Sequence, residues 1–262
     1  MLTSRQNPLV KQIRQLHNSQ QRHKQNLFLL EGTNLLATAA KINYPLVSLV
    51  STPQWQAKNA LLWQNLIAQA QRVETVSEEV LKAIATTVNP DGVLATASRH
   101  NWPKTGPESV QLGLILETIQ DPGNLGTIIR TAVATGVDIL WLSRDSVDLD
   151  HPKVIRASAG EWFRLNMQIG KDLPSIVKSY QKKGTQIIAT LPLAKKTYWQ
   201  LDFSGPSLIL LGNEAHGLSS ELASLADEQV NIPLAGGVES LNVAIASALL
   251  LYECRRQINL NG

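Results

Sequence analysis

Leu208-Ile209-Leu210-Leu211-Gly212-Asn213-Glu214-Ala215-His216-Gly217-Leu218 is a buried-strand pattern that breaks at once into a polar loop bounded by two glycines. The same event recurs downstream. A short apolar piece at 230–234 opens into Gly236-Gly237-Val238-Glu239-Ser240-Leu241-Asn242, and a helical run of mostly small and apolar residues follows, reaching Glu253. An α/β protein builds a ligand site at the carboxyl edge of its sheet in this way, by releasing polar loops from apolar strand ends. The region 207–253 is therefore read as the functional half of a parallel α/β domain.

Outward from that region towards the N-terminus, strands are predicted at 112–117, 138–142 and 186–191. Helices are predicted at 127–135, 152–159 and 174–183, with an extended segment at 163–169. Strands alternating with helices indicate a mainly parallel sheet. Further out, Arg99-His100-Asn101-Trp102-Pro103-Lys104-Thr105-Gly106-Pro107 breaks both periodicities with two prolines and a glycine, and reads as a linker. Alternation resumes before it: helix 8–21, strand 27–30, helix 33–41, strand 46–50, helix 55–70, strand 72–75, a Ser77-capped helix to 85, and strand 93–97. The expected organisation is a small α/β unit over 1–98, a linker over 99–108 and a larger α/β domain over 109–262.

The 262 residues are 44% hydrophobic and 17% charged, which fits a folded globular chain and excludes a disordered one. No apolar run approaches the roughly 20 residues of a membrane span, and the N-terminus lacks the apolar core of a signal peptide. A cytoplasmic protein without membrane contact is expected. Cys254 is the one cysteine, so an internal disulfide and a thiolate metal cluster within one chain are excluded, and its apolar helical context fits a buried thiol. The five histidines show no metal-ligand spacing, and no metal is expected. Net charge is only +3, yet Arg5, Lys11, Arg14, Arg22 and Lys24 precede the first acid, Glu31. Two readings of that basic run stand: a nucleic-acid surface and a solvated helix face.

Three loops carry the candidate chemistry. In Asp121-Pro122-Gly123-Asn124-Leu125-Gly126, Asn124 suits a helix N-cap, and the glycines let backbone amides face an anion. Neither a Gly-Lys-Ser/Thr nor a G-x-G-x-x-G follows, which argues against ATP and NAD. Arg130, one turn into the predicted helix, would stand against the helix dipole at a cost of about 0.3–1 kcal/mol. It either serves a site, or reaches solvent, or pairs with Glu117. Gly212 allows a flat ligand to approach the strand end, and Gly217 suits a positive φ. Glu214 and His216 flank that approach; Ser240 fits an N-cap; Asn242 points at its own backbone or into the site. Together Asn124, Arg130, Glu214, Ser240 and Asn242 fall at strand-to-helix junctions of one sheet.

D-P-G-N-L-G-T-I-I-R-T-A at 121–132, L-L-G-N-E-A-H-G-L at 210–218 and I-P-L-A-G-G-V-E-S-L-N-V-A-I-A-S-A at 232–248 resemble, in order, the three motifs of the SpoU/TrmH branch of the SPOUT RNA methyltransferases. The likeness runs along the whole C-terminal domain. The N-terminal unit is similar in layout to the family's small substrate-binding domain, with F-L-L-E-G at 28–32 and D-G-V-L-A at 91–95 as its best pieces.

The resemblance implies an α/β fold: a C-terminal parallel-sheet SPOUT domain with a trefoil knot, preceded by a small α/β substrate-binding domain. It implies S-adenosylmethionine as cofactor, methylation of a ribose 2′-hydroxyl of rRNA or tRNA, and a homodimer. Carried over by position, Thr190, Leu191, Gly212, Asn213, Ile232, Leu241 and Asn242 would bind the cofactor. Asn124, Arg130, Glu214, Ser240 and Asn242 would face the ribose. From the charge distribution, and not from the motifs, Arg5, Lys11, Arg14, Arg22 and Lys24 are the bases expected to contact RNA. A noncatalytic RNA-binding or assembly factor that keeps the fold is the competing expectation, and an α/β enzyme acting on a nucleotide or small molecule a third.

Overall fold

The structure, a computed structural model, describes residues 1–99, 107, 109–213 and 215–260, with the side chains of 259 and 260 set aside. Apart from Arg99 and Pro107, the expected linker lies outside the described residues, and so does Glu214. The first unit begins with α1 (Pro8–Gln15) and α2 (Ser19–Gln25), then β1 (Leu27–Glu31), α3 (Thr33–Lys41) and β2 (Leu46–Ser51). It continues through α4 (Pro53–Lys58), α5 (Ala60–Ile67), β3 (Ala70–Thr75), α6 (Glu78–Ile84) and β4 (Val93–Ser98).

Two predicted helices are each divided in the structure. The run 8–21 stops at Gln15 because Asn18 is extended, and its side chain accepts from Gln21 N to cap α2. The run 55–70 breaks at Asn59, whose φ of −128° and ψ of 39° leave the helical region. The sheet has the order β1-β4-β2-β3, with parallel pairing only between β2 and β3. Leu9, Val10, Ile13 and Leu16 bury one face of α1 against Val76, Val80, Leu81 and Ile84, as their helical spacing requires.

The second unit is built around central strands, at 112–116 and 207–211, that are buried without alternation, the pattern of a parallel sheet covered on both faces. From β4 the chain runs through β5 (Leu112–Leu116), α7 (Pro122–Thr135), β6 (Ile139–Ser143), then α8 (Pro152–Ala157), β7 (Met167–Gly170), α9 (Leu173–Gln181) and β8 (Gln186–Thr190). It closes with β9 (Lys196–Thr197), β10 (Ser207–Leu211), α10 (Ser220–Ser224), β11 (Glu228–Asn231) and α11 (Val243–Leu260). The seven strands run in the order β7-β6-β5-β10-β8-β11-β9, every pair parallel. β10, though late in the chain, enters between β5 and β8. The carboxyl ends of β5, β8, β10 and β11 therefore emerge on one edge, where the three motif loops meet. The short β9 and α10 went unpredicted, being two and five residues long.

One segment sits elsewhere than expected. Asp148–Phe163, which includes α8, packs within the first unit, so that unit comprises Met1–Trp102 and Asp148–Phe163. The reason is chemical: Arg22 is buried, at 1% exposure, and its Nε donates to Asp150 Oδ1 at 3.0 Å while Nη2 donates to Asp148 Oδ2 at 2.5 Å. Arg99 Nε lies 2.6 Å from Asp150 Oδ2, an ion pair by distance. Trp162 adds its ring against Phe28, centroids 5.2 Å apart. Among the described residues no helix is long and apolar enough to cross a membrane.

Candidate functional site

The turn after β5 reaches its helix differently from the sequence reading. Asp121, not Asn124, is the N-cap of α7: its side chain accepts from Asn124 N at 2.8 Å, and Pro122 fills the first helical position. α7 thus begins five residues earlier than predicted, and Arg130 lies more than two turns inside it, away from the dipole's positive end. The expected dipole cost falls away. Arg130 is exposed, does not pair with Glu117, and has no hydrogen-bond or ion-pair partner among the described residues.

Relieved of capping by its side chain, Asn124 accepts at Oδ1 from Asn242 Nδ2 at 2.9 Å, a bond spanning 118 positions of sequence. Asn242 is itself the N-cap of α11, its Oδ1 accepting from Ala244 N at 2.9 Å and Ile245 N at 3.3 Å. It points both ways at once, and Ser240, expected to cap, stays in the exposed loop. On its inner face α11 buries Val243, Ala244, Ser247, Leu250, Leu251 and Cys254. Burial pushes the Cys254 thiol up, which fits the inert thiol expected there.

A cavity of about 400 Å³ opens between the loops, lined by Thr190, Leu191, Gly212, Asn213, Ile232 and Leu241 with Ser240 and His216 at its side. All of the residues expected to bind the cofactor line it except Asn242, which is occupied with Asn124. Thr190 contributes to the wall, with its Oγ1 buried behind the cavity surface. A larger cavity, about 580 Å³, lies in the first unit beside Glu31 and Arg156, but its buried carboxylate is satisfied. Glu31 accepts from the backbone and side-chain donors of Thr86 and Thr87 and from Arg156 Nη1. The cavity at the sheet edge is instead lined by residues of two motif loops, Gly212 to Leu218 and Ile232 to Leu241, and is the candidate ligand site.

Gly217 has φ +69°, as its loop position suggested, and its N and O both bond to Asn213. Gly212 is constrained by something other than a ligand. A Cβ there would lie 2.2 Å from Gly217 C and O and from Leu218 N, so the loop's own return excludes a side chain. Sequence reading also missed Thr118, at φ +57°, and the bond from Ser219 N to Glu117 Oε2 at 2.7 Å. A β-branched residue gives no hint of left-handed backbone, and a hydrogen bond across 102 positions leaves no local pattern.

Residues 111–252, more than half of the chain, match the SpoU rRNA Methylase family. The chain belongs to that family. Residues 7–95 match the MRM3-like substrate binding domain. The SpoU-family chain is 48% identical to an uncharacterized tRNA/rRNA methyltransferase of Synechocystis, covering 98% of this chain and 93% of that one. It is 29% identical to the 23S rRNA (guanosine(2553)-2′-O)-methyltransferase RlmP of Bacillus subtilis, covering 97% and 98%. In structure it superimposes on the AdoMet-bound rRNA methyltransferase from Sinorhizobium meliloti with a TM-score of 0.87, at 31% identity, covering 98% and 97%. The fold is therefore the SPOUT methyltransferase fold preceded by a substrate-binding domain.

S-adenosylmethionine fits what lines the cavity. Its volume is within the roughly 300–1,000 Å³ of small-molecule sites, Leu191, Ile232 and Leu241 offer apolar walls, and Asn213, His216 and Ser240 are polar residues of its lining.

Of the RNA-binding candidates, Arg5, Lys11, Arg14 and Lys24 are exposed, and their side chains have no ion-pair or hydrogen-bond partner among the described residues. Arg22 is the correction: Nη1 also donates to Leu16 O and His17 O at 3.3 Å, so a buried guanidinium has its donors taken up inside the unit and none faces a phosphate.

Proposed function

We propose that this protein is an S-adenosylmethionine-dependent RNA methyltransferase acting on a ribose 2′-hydroxyl of rRNA or tRNA. The observation that carries the reading is the cavity lined by Gly212, Asn213, Ser240 and Leu241 beside the Asn124–Asn242 pair at one sheet edge. Bound there, the cofactor supplies an electrophilic methyl group. The chain's part is to align the hydroxyl and to stabilise the charge that develops on its oxygen. Guanidinium groups donate hydrogen bonds and do not accept them, so Arg130 acts as a clamp on the adjoining phosphate that also polarises the hydroxyl, and not as a base. Asn124, Ser240 and Asn242 face the ribose, with Glu214 at the matching motif position.

The first unit holds the RNA, with Arg5, Lys11, Arg14 and Lys24 binding its phosphates. The chain is knotted in this reading, consistent with β10 entering between two strands laid down before it. It works as a twofold dimer: Ile245, Leu249 and Tyr252 form an exposed apolar stripe on α11, at 52%, 38% and 57% exposure. It works in the cytoplasm, where its RNA is.

Labelled methyl transfer into purified rRNA and tRNA, followed by mapping of the modified nucleotide, tests the reading. A 2′-O-methyl product is expected. Cofactor binding by calorimetry without transfer into any RNA would favour a noncatalytic assembly factor, and turnover without RNA a small-molecule enzyme. A monomeric mass by light scattering across micromolar concentrations would remove the dimer.

A further inference from the structure

Four non-glycine residues among those described have positive φ, and Thr118, at +57°, is the one that is β-branched. Left-handed backbone is a true outlier for such a residue, and it persists only where the surroundings over-determine it. Around Thr118 they do. Its N donates to Ser143 Oγ at 2.7 Å, its Oγ1 donates to Asp145 Oδ2 at 2.7 Å, and its O accepts from Asn213 Nδ2 at 2.8 Å.

Those bonds converge on the loop that lines the cavity. Asn213 Oδ1 accepts from Ala215 N at 2.8 Å and His216 N at 3.0 Å, so one amide side chain both shapes the loop and ties it to Thr118. The neighbouring Glu117 holds the loop's other end through Ser219 N. Two consecutive residues at the carboxyl end of β5 thus grip the loop at positions 213 and 219. Behind them, Ser146 Oγ accepts from Ile119 N at 3.0 Å, and Gln120 Nε2 donates to Asp145 O at 2.8 Å. The hydroxyls of Ser143 and then Thr118 hold the Asp145 carboxyl below its usual range, so it stays an acceptor at neutral pH.

We propose that Glu117 and Thr118 are positioning residues that set the shape of the 213–219 loop, with Asp145 as the brace that keeps Thr118 in left-handed backbone, and that this clamp sets the affinity for S-adenosylmethionine. The inference rests on the reading of the cavity as the cofactor site. Without the Oγ1–Asp145 bond, Thr118 relaxes towards negative φ. Rotation about its N–Cα bond then swings its carbonyl away from the Asn213 amide, and the loop loses the anchor beside Gly212.

Calorimetry with S-adenosylmethionine on the full chain tests this, alongside steady-state kinetics. Thr118→Val and Asp145→Ala should each weaken cofactor binding about tenfold, the scale of one broken hydrogen-bonded anchor. The double variant should bind no more weakly than either single one, because both break the same link. KM for the cofactor should rise while kcat at saturating cofactor and KM for RNA stay put. Thr118→Ser, which keeps the hydroxyl, should bind as wild type does. Thr118→Gly should retain most of the affinity, because glycine holds φ +57° without a brace. Wild-type affinity in both Thr118→Val and Asp145→Ala, or additive losses in the double variant, would overturn the clamp and leave the cavity reading intact. Undiminished binding in Leu191→Trp, which fills the cavity, would overturn the cavity reading and the clamp with it.

Discussion

Arg22 and Arg130 are both arginines on helices, and the molecule treats them in opposite ways. Arg22 is sealed in the first unit, each part of its fork turned to Asp148, Asp150 or a carbonyl. Arg130 is exposed in the second unit with no partner among the described residues. The same contrast separates the two cavities, one beside a carboxylate fully supplied with donors and the other lined by His216 and Ser240, whose side chains have no hydrogen-bond partner among the described residues. A polar cluster that completes its own bonds contributes to folding and has nothing left for a ligand. A cluster left open stores its bonding capacity for something that binds.

The contrast breaks first, if it is wrong, at the closed network. Asp150→Ala strands a buried guanidinium edge, since the Asp150 side chain is 0% exposed, and should cost about 3–5 kcal/mol in urea unfolding. Cofactor affinity of the folded protein should not change. A loss under about 1 kcal/mol, typical of surface pairs, would mean the network is open to water. Arg130→Ala should do the reverse. Single-turnover methyl transfer at saturating RNA should fall on the order of a hundredfold, with the thermal midpoint and cofactor affinity as in wild type. An unchanged rate would remove Arg130 from the reaction.

Two smaller effects sharpen the comparison. Burial alone would raise the Glu31 pKa, but the bonds from Thr86 and Thr87 and the Arg156 charge outweigh it, so the folded value lies below the ordinary 4.5. Its contribution to stability is therefore complete above that pH and is lost as pH falls through the folded pKa. Glu31→Gln should show a shallower loss of urea midpoint than wild type on acidification below 4.5, and parallel curves there would contradict the assignment. Smallest is the surface term. Neutralising Arg5, Lys11, Arg14 and Lys24 should reduce the slope of log affinity for RNA against log salt by about 0.7 for each single-strand phosphate that is no longer neutralised. An unchanged slope would place the RNA elsewhere.

The three motif loops, the strand–helix alternation and the apolar faces of α1 and α11 were legible in the sequence, because each is written by residues near one another in the chain. So were six of the cavity-lining residues, from Thr190 to Leu241, once the motifs were aligned with their family. What the sequence could not say is which polar group answers which. Asn124 looked like a cap until Asp121 took that role and freed it for Asn242; Arg22 looked like one more surface base until two aspartates some 126 and 128 positions away closed on it. Asp148–Phe163 reads as part of the catalytic domain and packs in the first unit for the same reason. Local pattern fixes backbone preference and the side on which apolar groups fall, since both depend on spacing of a few residues. The pairing of buried polar groups depends on desolvation and on distances set only when remote segments meet, and that was decided by the tertiary structure alone.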